Sequence, residues 1–481
     1  MLTTTATEIA EITGGRLVGG ATGDERVTGS ARIDSRAVEP GDLFAAFVGE
    51  RADGHDYLAT AAAAGAALSL VSREVDHPAV LVEDVEAALS ALAHAQLERA
   101  RSERDDLVVL AVTGSAGKTG TKDLLGALLA TAGPTVAPAG SHNNELGLPL
   151  TVLGIDASTR FLVLEMGARG IGHIAHLTAI ARPDISLVLN VGSAHLGEFG
   201  SVEAIAQAKG EIVEALAPAG RAVLNAEDPR VAAMASRSQA PVVTWGLADG
   251  DVQGRDLRLD EGAHAAFELV VPAGLTTVTG GPVEAGTRDA VLGLVGEHQA
   301  MNALAATTAA LLAGARLDDV VAALATARAV SGQRMETIEL PDGITLVNDA
   351  YNANPDSMRL ALRTLAHLGR GRRTIAVLGE MLELGEDTIR LHDEVGRLAV
   401  RLNVGKLIVV GEGARAIHNG ACLEGSFDGE SEHVGTIDEA LAVLETTMRP
   451  GDVILLKSSR DAGVRDLGPR LVELSHGKAH G

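Results

Sequence analysis

Short apolar runs rich in Val, Ile and Leu alternate with longer Ala- and Leu-rich stretches along most of the chain. The short runs, bounded by polar or glycine positions, read as buried strands. The longer stretches, with apolar residues recurring every three or four positions, read as helices. Alternation of the two predicts βαβ units and parallel sheets, hence an α/β fold. Leu107–Val112, Phe161–Leu164, Ile185–Asn190 and Thr345–Val347 are the clearest strand runs. Polar interruptions break the pattern at Arg101-Ser102-Glu103-Arg104-Asp105-Asp106 and again at Arg328–Gln333. They divide the 481 residues into three predicted domains, 1–105, 106–333 and 334–481. A soft prior of about 150 residues per domain agrees with three.

Composition narrows the function. Hydrophobic residues make up 46% of the chain, enough for several cores. The net charge of -24 and an aromatic content of 2% argue against a nucleic-acid partner, which asks for a basic footprint and stacking rings. An acidic surface also repels anions at long range. An anionic ligand therefore needs a local site of backbone N–H groups, Lys, Arg or metal. The single cysteine, Cys422, leaves no intrachain disulfide and no thiolate metal cluster. The N-terminus carries Glu8 and Glu11 and lacks the basic start of a signal peptide. The longest apolar stretch, Ala61–Val71, is too short to span a bilayer. A soluble cytoplasmic protein without membrane insertion is expected, with a monomer as the default.

The chemistry is carried by Thr113-Gly114-Ser115-Ala116-Gly117-Lys118-Thr119, which follows the strand run Leu107–Val112. A helical pattern with Leu124, Leu125, Leu128 and Leu129 on one side comes next. Strand, glycine loop, Lys-Thr and helix form the context of a phosphate loop, here shortened because Val112 stands where the longer pattern has glycine. Glycines let backbone N–H groups approach phosphate oxygens, and the helix N-terminus adds partial positive charge. Lys118 can neutralise a transferred phosphate and the Thr119 hydroxyl can hold Mg²⁺. Two further groups fall at strand ends, where ligands of open parallel sheets sit. Glu165 offers a hard oxygen ligand for Mg²⁺, and His195 could complete a second metal site. Either alone reads better as a structural residue; their joint placement raises the functional reading. Lys209, in Ala208-Lys209-Gly210-Glu211, reads from the sequence alone as a solvated surface lysine.

T-G-S-A-G-K-T, E-M-G-A, G-S-A-H-L-G-E-F-G-S, A-K-G-E-I and N-D-A-Y-N-A-N-P-D-S-M occur in this order over nearly the whole chain. Together they resemble the Mur ligases. The resemblance implies a small N-terminal α/β domain for a UDP-sugar, a central P-loop parallel-sheet ATPase domain holding ATP and metals, and a C-terminal Rossmann-like α/β domain for the incoming amine. It implies ATP and Mg²⁺ as cofactors and a carbamylated lysine at Lys209, which reverses the surface reading of that residue. Ser35 and Arg36 would hold the uridine diphosphate end, beside the segment Gly49–His55, and Asn143 and Asn144 the muramoyl peptide. Asn302 would lie near the adenine, Arg334 would meet the ATP phosphates, and Asp349, Tyr351 and Asn352 would close over the nucleotide. Lys118, Lys209 and His195 would be catalytic, and Thr119, Glu165, His195 and Lys209 would hold metal. The Asn143-Asn144 form and Leu378–Gly385 resemble the dipeptide-adding branch. Its substrates are UDP-N-acetylmuramoyl-tripeptide and D-alanyl-D-alanine, joined through an acyl phosphate.

Two other readings compete. The branch adding the third peptide residue usually carries Asp-Asn-Pro in its third domain, and no such triplet follows Pro355. A nucleotide-dependent switch would need the phosphate loop alone, leaving the UDP-sugar segment and the third domain without purpose.

Overall fold

The computed structural model describes residues 1–49, 52–192, 196–425 and 429–478. Three large sheets organise them, beside a two-stranded one of Thr4–Thr5 and Arg26–Val27. The first has five strands in the order Arg16–Val18, Ala79–Leu81, Leu68–Val71, Leu43–Ala45 and Ala31–Arg32, all parallel except the first pair. The apolar stretch Ala61–Val71 is the end of one helix, Leu58–Ala64, followed by the strand Leu68–Val71. Among the described residues no helix is long and apolar enough to cross a membrane.

The central sheet has nine strands. Thr135–Val136, Phe161–Glu165, Val108–Thr113, Ile185–Val188, Arg221–Asn225, Val242–Gly246 and Val252–Leu259 pair in parallel, in that spatial order. His264–Val271 and Gly286–Val295 extend it antiparallel. The expected strand Leu107–Val112 appears one residue later, as Val108–Thr113, and is buried throughout. Its side chains alternate between two cores. Val109 and Ala111 enter a cluster that continues into the first sheet's residues, while Val108, Leu110 and Val112 enter a second on the opposite face. A strand covered on both faces reads as a continuous apolar run, which is the pattern seen in the sequence.

Chain order places Phe161–Glu165 on one side of Val108–Thr113 and Ile185–Val188 on the other. The connections therefore reverse direction at that central strand, which opens a crevice beyond its carboxyl end. The phosphate-loop motif leaves the sheet there. The third sheet runs Glu336–Leu340, Ile344–Asn348, Val453–Lys457, Thr374–Leu378, Lys406–Val410 and Ser431–Val434, parallel apart from its first pair. Asp349 and Lys457, at the carboxyl ends of two of its strands, line the same cleft as the phosphate loop.

The polar run at 101–106 is only partly a break. Val85–Glu103 is one helix whose last turn supplies Arg101 to Glu103, and its apolar face joins the core shared with the central sheet. A helix's exposed last turn looks like a linker when only polarity is read.

Leu110 has no exposed surface in the middle of the strand that leads into the loop. Leu110→Ala should destabilise the fold by about 2–5 kcal/mol, through lost burial and the cavity left behind. Chemical denaturation of the purified chain checks this through a lowered midpoint with an unchanged slope.

Candidate functional site

The loop after Val108–Thr113 turns into the helix Lys118–Ala130 through Gly117, whose φ is +82° and which makes no side-chain cap. A Cβ there would meet Asn302 Oδ1 at 2.6 Å, so only glycine fits both the backbone angle and the neighbour. The uncapped first turn leaves its N–H groups directed at the cleft, the arrangement that favours an anion. Asn190, just past the strand Ile185–Val188, clamps the loop. Its side chain accepts from the Ala116 N–H at 2.9 Å and donates to the Ala116 carbonyl at 3.2 Å, while its own carbonyl accepts from the Ser115 N–H. Lys118 Nζ donates to the Gly114 carbonyl at 2.7 Å. Burial lowers its pKa; the nearby Glu165 carboxylate raises it and Arg334 lowers it again.

Glu165 ends its strand with 1% of its surface exposed. It stays satisfied by three donors: Thr119 Oγ1 at 2.7 Å on Oε2, and Ser141 Oγ and Asn143 Nδ2, both at 2.8 Å, on Oε1. Carboxylate and threonine hydroxyl thus share one spot beside the loop. They are hard oxygen donors of the kind Mg²⁺ takes together with waters and phosphate oxygens, so the donor set fits that ion.

Lys209 departs from the surface reading. It lies in the helix Val202–Glu214 with only 3% of its surface exposed, and it lines the cleft. Tertiary packing turned this face of the helix inward, burying Ala208 to Val213. Glu211, two residues on and so on another side of the same helix, accepts from the N–H groups of Gly172 and Ala175, at 2.6 and 2.9 Å, and so caps the helix His173–Ile180. Among the described residues Lys209 Nζ has no hydrogen-bond or ion-pair partner. Burial first, and the Lys118 charge second, push its pKa well below the ordinary lysine value. A buried amine without a counter-ion is costly as a cation. A carboxylate added to that nitrogen would turn a buried cation into an oxygen donor on the lining of the cleft that also holds Glu165.

The third sheet supplies the opposite wall. Lys457 Nζ donates to Asp349 Oδ2 at 2.5 Å and to the Asn352 carbonyl at 3.0 Å, and Asp349 Oδ1 accepts from the Met335 N–H at 3.0 Å. The Arg334 guanidinium stacks 4.0 Å above the Tyr351 ring. Gln333 and Met335, on either side of Arg334, hold φ of +60° and +52°. Such angles are strained for residues with a Cβ and persist where surrounding contacts over-determine them. Asn354 accepts from the Ser357 N–H, and Ser357 Oγ accepts from the Asn354 N–H. With Pro355 next, they start the helix Pro355–Leu368. Asn302 donates to Gln299 Oε1 at 3.0 Å. His298 Nδ1 and Arg334 Nε are buried polar atoms with no partner among the described residues, and both residues line the cleft.

One cavity of about 660 Å³ gathers most of the anticipated residues: Ser115, Ala116, Gly117, Lys118 and Thr119 with Asn143, Asn144, Glu165, Lys209, Asn302, Arg334, Asp349, Tyr351 and Asn352. Gly114 is reached only through its carbonyl. Asn144 Oδ1 is engaged locally, accepting from the Gly147 N–H at 2.9 Å. Ser35 and Arg36 sit apart from the cleft on a 3₁₀ turn of the first domain. There Arg36 pairs with Asp34, whose pKa is lowered to about 2 by that side-chain hydrogen bond and the Arg36 N–H. His195, and Glu50 and Arg51 of the Gly49–His55 segment, lie outside the described residues. Asn190 and Lys457 were not anticipated as site residues. The one visible signal was their position at strand carboxyl ends.

Comparison with known proteins agrees with this geometry. The sequence matches the Mur ligase middle domain over residues 112–310, the glutamate ligase domain of Mur ligases over 333–460 and the Mur ligase family catalytic domain over 30–104. It is 46% identical to the UDP-N-acetylmuramoyl-tripeptide–D-alanyl-D-alanine ligase of Mycobacterium tuberculosis, covering 98% of each chain. The fold is similar to MurF from Acinetobacter baumannii, with a TM-score of 0.82, 30% identity and coverage of 98% and 99%. It is also similar to the MurF ligase of Thermotoga maritima in complex with ADP, with a TM-score of 0.75, 28% identity and coverage of 94% and 99%. Sequence, fold and cleft agree: the chain belongs to the Mur ligase family.

Proposed function

We propose that this chain joins D-alanyl-D-alanine to UDP-N-acetylmuramoyl-tripeptide at the expense of ATP, in the making of peptidoglycan precursors. The observation that carries this reading is the single cleft in which the phosphate loop, Glu165, Lys209 and the third domain's Arg334, Asp349 and Lys457 meet. A carboxylate does not condense with an amine in water without activation. Phosphoryl transfer from ATP to the peptide carboxylate makes an acyl phosphate and ADP; the amine then attacks the acyl carbon, phosphate leaves and the amine gives up a proton.

Each wall has a part in this. The N–H groups of the loop and Lys118 hold the nucleotide phosphates and neutralise charge that develops during transfer. Asn190 keeps the loop in shape for that contact. Mg²⁺, when bound, supplies positive charge between two groups that otherwise repel. Thr119 and Glu165 would hold it, with Lys209 in carbamylated form and His195 as further ligands. Arg334, Tyr351, Asp349 and Asn352 contribute the nucleotide's other side, and Asn302 and His298 line the cleft next to the loop. Residues 1–105 are assigned to the UDP-sugar, with Ser35 and Arg36 on it, 106–333 to ATP and metal, and 334–481 to the incoming dipeptide. Closure of the third domain over the cleft excludes water, to which an acyl phosphate would be lost. The reaction belongs in the cytoplasm, where ATP is available.

Phosphate release measured with and without both substrates tests the reaction. It should depend on UDP-N-acetylmuramoyl-tripeptide and on D-alanyl-D-alanine; release that ignores both returns the chain to a nucleotide switch. Lys118→Ala should reduce turnover by at least about 10³-fold with little change in thermal unfolding, since it removes transition-state charge stabilisation. Near-normal turnover in that variant would remove the phosphate-loop argument. Lys209→Ala should lose activity and regain much of it when short carboxylates such as formate or acetate are added. Absence of rescue would return Lys209 to a packing role.

A further inference from the structure

Lys122 lies on the helix that starts with Lys118 and Thr119, yet its side chain has no exposed surface. Its ammonium donates to the carbonyls of Pro138 and Gly140, the latter at 3.0 Å, and lies 2.5 Å from Asp123 Oδ1. The other Asp123 oxygen accepts from the Ser331 N–H at 3.1 Å. Ser331 Oγ accepts in turn from the Gly140 N–H at 3.2 Å. Three segments far apart in sequence are thereby closed into a ring: the loop helix, residues 138–140, and the stretch 328–333 that leads into the third domain.

Both exits from the ring reach the cleft. After Gly140 come Ser141 and Asn143, which hold Glu165, and Asn144, which lines the cavity. After Ser331 come Gln333, Arg334 and Met335, with the left-handed backbone on either side of Arg334. If the interior needed only volume at Lys122, an apolar side chain would fill it without the cost of desolvating a charge. The ammonium instead satisfies two carbonyls of a loop that has no regular secondary structure of its own. It sets that loop's position relative to the helix whose first turn faces the phosphates.

We infer that Lys122 and Asp123 are positioning residues that tie the acceptor-peptide loop 138–144 to the connection into the third domain, an inference that rests on the ligase reading above. Lys122 is buried behind the cleft, Asp123 and Ser331 also lie on its lining, and the pair acts through Ser141, Asn143 and Ser331. Its effect is asymmetric. The nucleotide phosphates are held by backbone at the start of the helix, which does not depend on the ring. The peptide-side groups follow the loop.

The test is steady-state kinetics on the full-length enzyme, varying ATP and UDP-N-acetylmuramoyl-tripeptide separately. Ser331→Ala removes one acceptor and leaves the buried charges paired, so it should fold. It should raise KM for the muramoyl tripeptide about three- to tenfold while KM for ATP stays within about twofold, as expected when one substrate's positioning is loosened. Lys122→Met combined with Asp123→Asn removes both buried charges together and should show a larger shift of the same kind. Equal changes in both KM values, a loss confined to kcat, or unchanged values in folded Ser331→Ala would overturn the inference while the ligase reading stands. Failure of the unaltered enzyme to form the ligated product would instead remove the ligase reading.

Discussion

The hydrogen bond between Thr119 and Glu165 joins the two elements on which the site depends, the phosphate-loop helix and the neighbouring strand of the central sheet. A carboxylate with 1% exposure must have its oxygens satisfied, or the site loses more than it gains. Here the satisfaction comes from a helix and from a loop carrying Ser141 and Asn143, two segments separate in sequence. Meeting that one requirement fixes the loop 141–143 against the phosphate-loop helix. The same oxygens stand ready for a cation, since a carboxylate and a hydroxyl are both ligands for a hard ion.

Around that carboxylate the protein buries positive charge in an otherwise acidic chain. Lys118, Lys209 and Lys457 line the cleft and Lys122 is buried behind it, and they are handled differently. Lys118 leans on a backbone carbonyl, Lys122 and Lys457 have carboxylates and carbonyls, and Lys209 has no partner among the described residues. Long-range repulsion from a net charge of -24 disfavours anionic substrates until they enter a cleft where local cations take over. The paired lysines hold walls in place. The unpaired one is where added chemistry has room to act.

Two parallel sheets directing their carboxyl ends at one cavity explain why the site needs both domains. Asp349 and Lys457 are an internal pair of the third sheet that lines the same cavity as the loop, and the connection before them holds left-handed backbone on either side of Arg334. Strain of this sort is tolerated where the surroundings enforce it.

Sequence alone determined the strands, the loop and the start of the helix Pro355–Leu368. Each is written in local chemistry: apolar runs, a glycine where φ must be positive, and an Asn-Pro-Asp-Ser cap. Membership of the family could also be read from the order of motifs. What only the tertiary structure decided is which polar groups are buried and what they face. Lys209 reads as surface because helical position does not say which side packs inward, and the roles of Asn190, Lys122 and Lys457 were not legible because their partners lie elsewhere along the chain. Backbone conformation follows from neighbours in sequence, whereas desolvation and pairing follow from neighbours in space, and the chemistry of this cleft is made of the second kind.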